Sequence, residues 1–326
     1  MRILRRRDIS AIFLLFSACF GRESLAKDVV ELPIPDESHA ALTVERGLYG
    51  ISSFDNGLLV FPGKLQHIVR VPQDMKAKDR EAKFGKMTDQ VRIPLEDAAY
   101  PGDWRGAYEA PDRIIVWDAS VLQLLVLRTK DYKTVLSTTV PTDMLKPPSD
   151  RMGEPTAMET NRTRKRFREN SRKIFGSKFS GMAEMPPKWA KSDGRQFLVS
   201  SHVAEFPVLV MSCLKDDPAT CRIARHCFLE GGPKRASESV TGVGVIPGSR
   251  EFVIGDSATN QIDVYKFNSC FDVVWKKTLK LPVRLPKMSN LHVDSEGRLW
   301  VTTMVPDSFT DSNLLYWDRD VWNPAK

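Results

Sequence analysis

Residues 252–265 read Phe252-Val253-Ile254-Gly255-Asp256-Ser257-Ala258-Thr259-Asn260-Gln261-Ile262-Asp263-Val264-Tyr265. Two runs of β-branched and aromatic residues flank a short polar loop, which is the pattern of two strands joined by a turn. The arrangement recurs earlier in the chain. Val116-Trp117-Asp118 is followed by Gln123-Leu124-Leu125-Val126, and the offset from Asp118 to Gln123 equals that from Asp256 to Gln261. A recurring strand–loop–strand unit directs the reading toward a repeat architecture.

Working outward, five turns each precede a short apolar run. Asp55-Asn56-Gly57 precedes Leu58–Phe61, Pro111-Asp112 precedes Ile114–Trp117, and Asp193-Gly194 precedes Phe197–Val199. Pro247-Gly248 precedes Phe252–Ile254, and Asp294–Gly297 precedes Leu299–Thr302. Such turns are built from residues that accept positive φ or fix it, so each marks a hairpin with a mechanism. They fall about 55, 82, 54 and 49 residues apart. Thr134–Val140 and Val273–Leu279, each ending near a proline, read as fourth, outer strands. Four antiparallel strands per unit of about 40–50 residues is the blade of a β-propeller. The expectation is an all-β chain of five four-stranded blades, with six as the alternative. The long interval is explained by an insertion at 143–178 that is rich in Pro, Met and charge, and is partly helical or disordered. The last unit supplies three strands, near Asn290–Val293, Leu299–Thr303 and Leu314–Trp317. Val29–Ile34 is expected to complete it as an outer strand and so join the two ends of the chain.

The segment 253–265 resembles an NHL repeat, in which an apolar strand leads into Asp-Ser, an Asn-rich loop and an Ile-x-Val strand. Residues 290–301, Asn290-Leu291-His292-Val293-Asp294-Ser295-Glu296-Gly297-Arg298-Leu299-Trp300-Val301, are similar to blades of NHL and gluconolactonase-like (TolB-like) propellers. The resemblance implies that loops joining second to third strands gather at one mouth of a central channel. There they would present Asp118, His202 with Glu205, and Asp256 with Asn260, while Asn290 would sit at the start of an innermost strand. Such a set could hold Ca²⁺ or another divalent cation, since hard cations take oxygen ligands. An Asp that follows a strand also bonds the N–H groups of its own turn. The chain departs from the gluconolactonase-like pattern at Ser289-Asn290, where a metal-binding carboxylate is expected. A metal-dependent hydrolase or lactonase is therefore the second reading, and no catalytic residue is nominated. No nucleophile elbow, zinc-protease helix, phosphate loop or dinucleotide fingerprint occurs. The first reading is a binding module for a protein or glycan ligand that requires no cofactor.

Residues 1–26 combine Arg2, Arg5, Arg6 and Arg7 with an apolar run from Ile9 to Phe20 and a Ser24-Leu25-Ala26 ending, which reads as a signal peptide cut after Ala26. The apolar run is too short to span a bilayer as a helix. The mature chain, 27–326, is expected to be one secreted or periplasmic domain, with lipidation at Cys19 as the minor alternative. The formal charge of +7 is local. The insertion carries Arg162, Arg164, Lys165, Arg166 and Arg168, a patch suited to an anionic envelope surface. Nucleic acid is not an expected partner outside the cytoplasm. Four cysteines, Cys213, Cys221, Cys227 and Cys270, suit an oxidising compartment. Cys213 with Cys221 across one hairpin is the favoured pair, leaving Cys227 with Cys270. Spacing alone does not fix the connectivity.

Overall fold

The computed structural model describes residues 29–34, 40–44, 48–54, 57–62, 67–72, 93–94, 104–110, 113–118, 123–128, 133–139, 179–189, 194–201, 207–214, 217–235, 239–283, 285–304 and 312–324. The signal segment and the 143–178 insertion lie outside them. Two N-terminal strands, β1 (Val29–Glu31) and β2 (Ala40–Val44), precede the first sheet of β3 (Leu48–Phe54), β4 (Gly57–Pro62), β5 (His67–Pro72) and β6 (Ile93–Pro94). The second sheet holds β7 (Trp104–Ala110), β8 (Arg113–Asp118), β9 (Gln123–Arg128) and β10 (Thr134–Thr139). The third holds β11 (Phe179–Glu184), β12 (Arg195–Ser201), β13 (Val208–Cys213) and β14 (Arg222–His226). A short β15 (Leu229–Glu230) leads to the fourth, β16 (Val240–Val245), β17 (Glu251–Asp256), β18 (Gln261–Ser269) and β19 (Asp272–Lys280). The fifth has β20 (Lys287–Val293), β21 (Leu299–Met304) and β22 (Ser312–Trp317), followed by one helical turn, α1 (Arg319–Trp322).

Within each of the first four sheets the four consecutive strands run antiparallel in chain order, as do β20, β21 and β22 of the fifth, so the sequence-predicted hairpins all join a first strand to a second. Leu124, Leu125, Val126 and Leu127 on β9 are all buried, as are Val208–Met211 on β13. A strand covered on both faces reads as a continuous apolar run because neither face meets water. The cores lie between sheets. One cluster joins the second sheet (Ile115, Leu124, Val126) to the third (Phe197, Leu209, Met211). Another joins the third (Leu198, Val210) to the fourth (Phe252, Tyr265), and a third joins the fourth (Val253, Val264) to the fifth (Leu299, Val301, Trp317). Sheets stacked face to face in chain order, each antiparallel and four-stranded at its centre, define an all-β propeller.

The N-terminal pairing differs from the sequence expectation. The strand beside β22 is Ala40–Val44, paired antiparallel with Ser312–Leu315, and not Val29–Ile34. Val29–Glu31 instead lies parallel to Thr278–Lys280 on the outer edge of the fourth sheet. Leu32 explains the choice: it is buried in the cluster between the fourth and fifth sheets, its N–H donates to the Lys280 carbonyl, and the Trp317 indole donates to the Pro33 carbonyl at 2.9 Å.

Candidate functional site

The first strand of every sheet carries one extra residue at the same place. The register shifts between Leu48 and Gly50, Trp104 and Gly106, Phe179 and Gly181, Val240 and Val243, and Met288 and Asn290. Aligned on these bulges, the strands read Leu48-Tyr49-Gly50, Trp104-Arg105-Gly106, Phe179-Ser180-Gly181, Val240-Thr241-Gly242 and Met288-Ser289-Asn290. Their register partners at the ends of the second strands are Pro62, Asp118, Ser201, Asp256 and Thr303. A bulge bends its strand and re-aims the side chains beside it, and bulges recur next to functional sites.

Glycine after the bulge lets these first strands touch. Gly242 has φ +80, and a Cβ there would sit 2.6 Å from the Leu291 nitrogen. A Cβ on Gly181 would sit 2.5 Å from the Gly242 Cα. Asn290 stands where the other four strands have glycine, and its amide is used internally. Its Nδ2 donates to the Ser180 carbonyl, and its Oδ1 accepts the Leu291 N–H at 2.8 Å.

Several of the described polar groups around this layer are hydroxyls. Ser180 Oγ lies 3.0 Å from Ser200 Oγ, donates to the Val240 carbonyl at 2.8 Å, and accepts the Gly242 N–H. Ser289 Oγ lies 2.9 Å from Thr302 Oγ1. Thr241 is 7% exposed and Thr303 is fully buried, yet the Oγ1 of each has no hydrogen-bond partner among the described residues. An unpaired buried hydroxyl costs roughly 1–3 kcal/mol.

Of the residues nominated from sequence, Asp256 accepts the Ala258 and Thr259 N–H groups on Oδ1. Asn260, at φ 56, donates to the Pro286 carbonyl and accepts the Met288 N–H, fastening this turn to the first strand of the next sheet. Asn290 lies in the middle of β20, not at its start, and is buried. Asp118 ends β8 opposite Trp104 and Gln123, in the register position of Asp256. His202, Glu205 and the patch Arg162, Arg164, Lys165, Arg166 and Arg168 lie outside the described residues. No cluster of three His, Cys, Asp or Glu side chains suited to a metal occurs among the described residues. Both cysteine pairs form disulfides, Cys213–Cys221 and Cys227–Cys270. Two disulfides point to an extracytoplasmic protein. No helix among the described residues is long and apolar enough to cross a membrane.

Two further polar clusters are buried. Arg235 pairs with Asp263, whose Oδ1 also accepts the Thr278 hydroxyl at 2.6 Å, and donates to the Tyr265 hydroxyl at 2.8 Å. Desolvation pushes the Asp263 carboxyl above its ordinary value, against the pull of Arg235. Burial opposes the Arg235 charge, but Tyr265 and Asp263 more than offset it, so the guanidinium stays charged. In β20, desolvation lowers the His292 imidazole to about 4, with Asp294 opposing. Asp294 is held by the Trp300 indole at 2.8 Å and by Arg298.

Sequence reading missed the bulge row because it followed turns. The available signal was an apolar–x–Gly step, with Asn in its last copy, at intervals of about 56, 75, 61 and 48 residues. Glycine within a strand pattern is the mark of a bulge or a close backbone approach.

The class that the sheets define is the β-propeller. No family model matches the chain, and no curated protein matches it. Solved structures similar to it include glutaminyl cyclase of Myxococcus xanthus, at 8% identity over 89% of this chain and 98% of that one, with a TM-score of 0.48. Regucalcin, a calcium-binding protein of Agrobacterium tumefaciens, is 9% identical over 85% of this chain and 72% of its own, with a TM-score of 0.39. Virginiamycin B lyase of Staphylococcus aureus is 11% identical over the same shares, also at 0.39. At these values the likenesses carry no argument about activity.

Proposed function

We propose that the five sheets are the blades of one closed ring and that the protein is a non-enzymatic binding module acting outside the cytoplasm. Support for the ring comes from the first strands, since β3 neighbours β7, β7 neighbours β11, β11 neighbours β16, β16 neighbours β20, and β20 neighbours β3. β2 then serves as the outer strand of the fifth blade, leaving the ring without an open end. The ligand is a glycan, met at the end of the axis where the bulges and the second-strand ends lie together.

One observation carries this reading: Thr241 and Thr303 keep buried hydroxyls with no partner among the described residues, near the paired hydroxyls of Ser180 with Ser200 and Ser289 with Thr302. A binding site retains unmet polar groups because a ligand meets them, whereas a purely structural core eliminates them. Hydroxyl and amide groups suit the hydroxyls of a sugar.

The test pairs stability with binding. Mature protein, residues 27–326, is screened against immobilised neutral and acidic oligosaccharides, then compared with Thr241→Val and Thr303→Val. The proposal expects valine to leave the melting temperature unchanged or raised while glycan binding weakens. Capture of a protein with no glycan binding, or glycan binding indifferent to both substitutions, would sink it.

A further inference from the structure

At the end of the second sheet away from the bulge row, a cavity of about 270 Å³ is lined by Arg113, Arg128, Val135 and Leu136. Its volume lies just below the roughly 300–1,000 Å³ of small-molecule sites. Arg113 begins β8, Arg128 ends β9, and the two are direct register partners. Two residues further along, the partners on the same face are Ile115 and Val126, and Val126 pairs in turn with Leu136 on β10. Strand side chains alternate, so both arginines extend the face that Ile115, Val126 and Leu136 turn toward the third sheet. An apolar, buried face thus ends in two exposed arginines.

A bulge supplies another part of the wall. The register between β9 and β10 shifts between Thr134 and Leu136, which leaves Val135 as the extra residue, 48% exposed although apolar. A bulge re-aims the side chain that it carries, and this one lines the cavity beside the two cations. Leu136 packs against the core between the second and third sheets, so that wall is anchored.

We infer that the cavity binds a small phosphomonoester, with Arg113 and Arg128 on the phosphate and Val135 and Leu136 against its organic group. The inference uses the second sheet alone and depends on neither the closed ring nor the glycan site. Directly opposed side chains leave their strands about 5 Å apart, so one anion can meet both forks. Like charges at that spacing repel, and an anion between them turns the repulsion into attraction. A phosphomonoester carries a charge of about −1.5 to −2 at neutral pH and three acceptor oxygens, a match for two guanidinium groups. A carboxylate carries one charge and two oxygens, which a single arginine already fills. Inorganic phosphate makes no use of the apolar wall, and the volume admits a short organic group.

Phenyl phosphate, inorganic phosphate and benzoate are the probes, titrated calorimetrically into the mature chain near neutral pH. Phenyl phosphate is expected to bind about tenfold more tightly than either of the others, and added salt should weaken it. Arg113→Gln and Arg128→Gln should each weaken it by about tenfold or more, while Arg113→Lys and Arg128→Lys, keeping charge without the fork, fall between. Val135→Ser, at an exposed position, should weaken phenyl phosphate and leave inorganic phosphate unchanged. Melting temperatures identify any variant that fails to fold, and the ranking of probes on unaltered protein stands without variants. Arg113→Gln should leave oligosaccharide binding untouched, so failure of this site and failure of the glycan site are read separately. Benzoate binding as tightly as phenyl phosphate would overturn the phosphate assignment. Capture by phosphatidic acid vesicles without binding of soluble phenyl phosphate would overturn it in favour of a lipid surface. Phenyl phosphate binding indifferent to both glutamine substitutions, or no binding at all, would end the inference.

Discussion

The fourth and fifth sheets contain similar strands but are assembled in opposite ways. The fourth takes β16–β19 from one uninterrupted stretch, and its outer strand is then covered twice, by β15 at one end and β1 at the other, both parallel. The Cys227–Cys270 disulfide and the buried Arg235–Asp263 pair hold the preceding loop against it. The fifth takes three strands from the C-terminal end and its outer strand from residues 40–44. A sheet made from neighbouring residues forms at small loop-closure cost, whereas one made from both ends of a chain must first bring those ends together. The fourth sheet should therefore form early and survive perturbation, and the fifth should be where the molecule opens.

The largest effect expected from that contrast is on deletion of residues 27–44. Without β2, β22 is left as an open edge, and the mature chain should lose its cooperative thermal transition and aggregate. Deletion of residues 27–34 alone removes the cover on β19, the buried Leu32 and the acceptor of the Trp317 indole, and should leave a folded protein of lower melting temperature. Equal damage from both deletions would show that β1, not β2, is the closing element.

The disulfides probe the same contrast from the other side. Cys227–Cys270 spans 43 residues and ties the third sheet to the fourth, whereas Cys213–Cys221 spans 8 within the third. Chain entropy assigns about 4 kcal/mol to the longer loop and about 2.6 kcal/mol to the shorter. Denaturant unfolding of the two Cys→Ser double variants should rank them in that order.

A pH effect of about 3 kcal/mol belongs to the fifth sheet. His292 is buried on β20 and its imidazole is lowered to about 4, from 6.5 for an exposed histidine. The unfolded chain then binds a proton more readily than the folded one between those values, so stability is complete above about pH 6.5 and falls as the pH drops toward 4. His292→Gln should flatten that slope in urea titrations at pH 4.5 and 7. An unchanged slope would assign acid sensitivity to other groups.

Much of the fold was legible because hairpin turns announce themselves locally. Every turn named from sequence joins first and second strands, and the outer strands at 134–139 and 272–280 fall where they were expected. The strand that pairs with β22 was misplaced for a physical reason. Val29–Ile34 has the stronger β-propensity, whereas Ala40–Val44 begins with two alanines, and only tertiary pairing with β22 reveals it as a strand. The candidate site was less legible still. Asp256 and Asn260 were nominated as acidic and amide residues in a loop, and the sequence did not reveal that Asp256 Oδ1 also holds its own turn while Asn260 fastens that turn to the neighbouring strand. Thr241 and Thr303 attract no notice in a sequence, since an unmet hydroxyl is a property of the packing around it.

The smallest effect is the most discriminating for the junction between the two sheets. Trp317 lies on β22, and its indole N–H donates to the Pro33 carbonyl just beyond β1. This one bond links the N-terminal cover of the fourth sheet to the fifth. Trp317→Phe removes the donor while keeping an aromatic ring in the core, and it leaves a partly exposed carbonyl that water can satisfy. The cost should therefore be about 1 kcal/mol of bond plus a small loss of packing. Combined with deletion of residues 27–34, the substitution should add less than it does alone, because its partner is already gone. Full additivity would mean that the Trp317–Pro33 bond does not couple the sheets, and the N-terminal segment would then join the fourth sheet to the fifth through the packing of Leu32 alone.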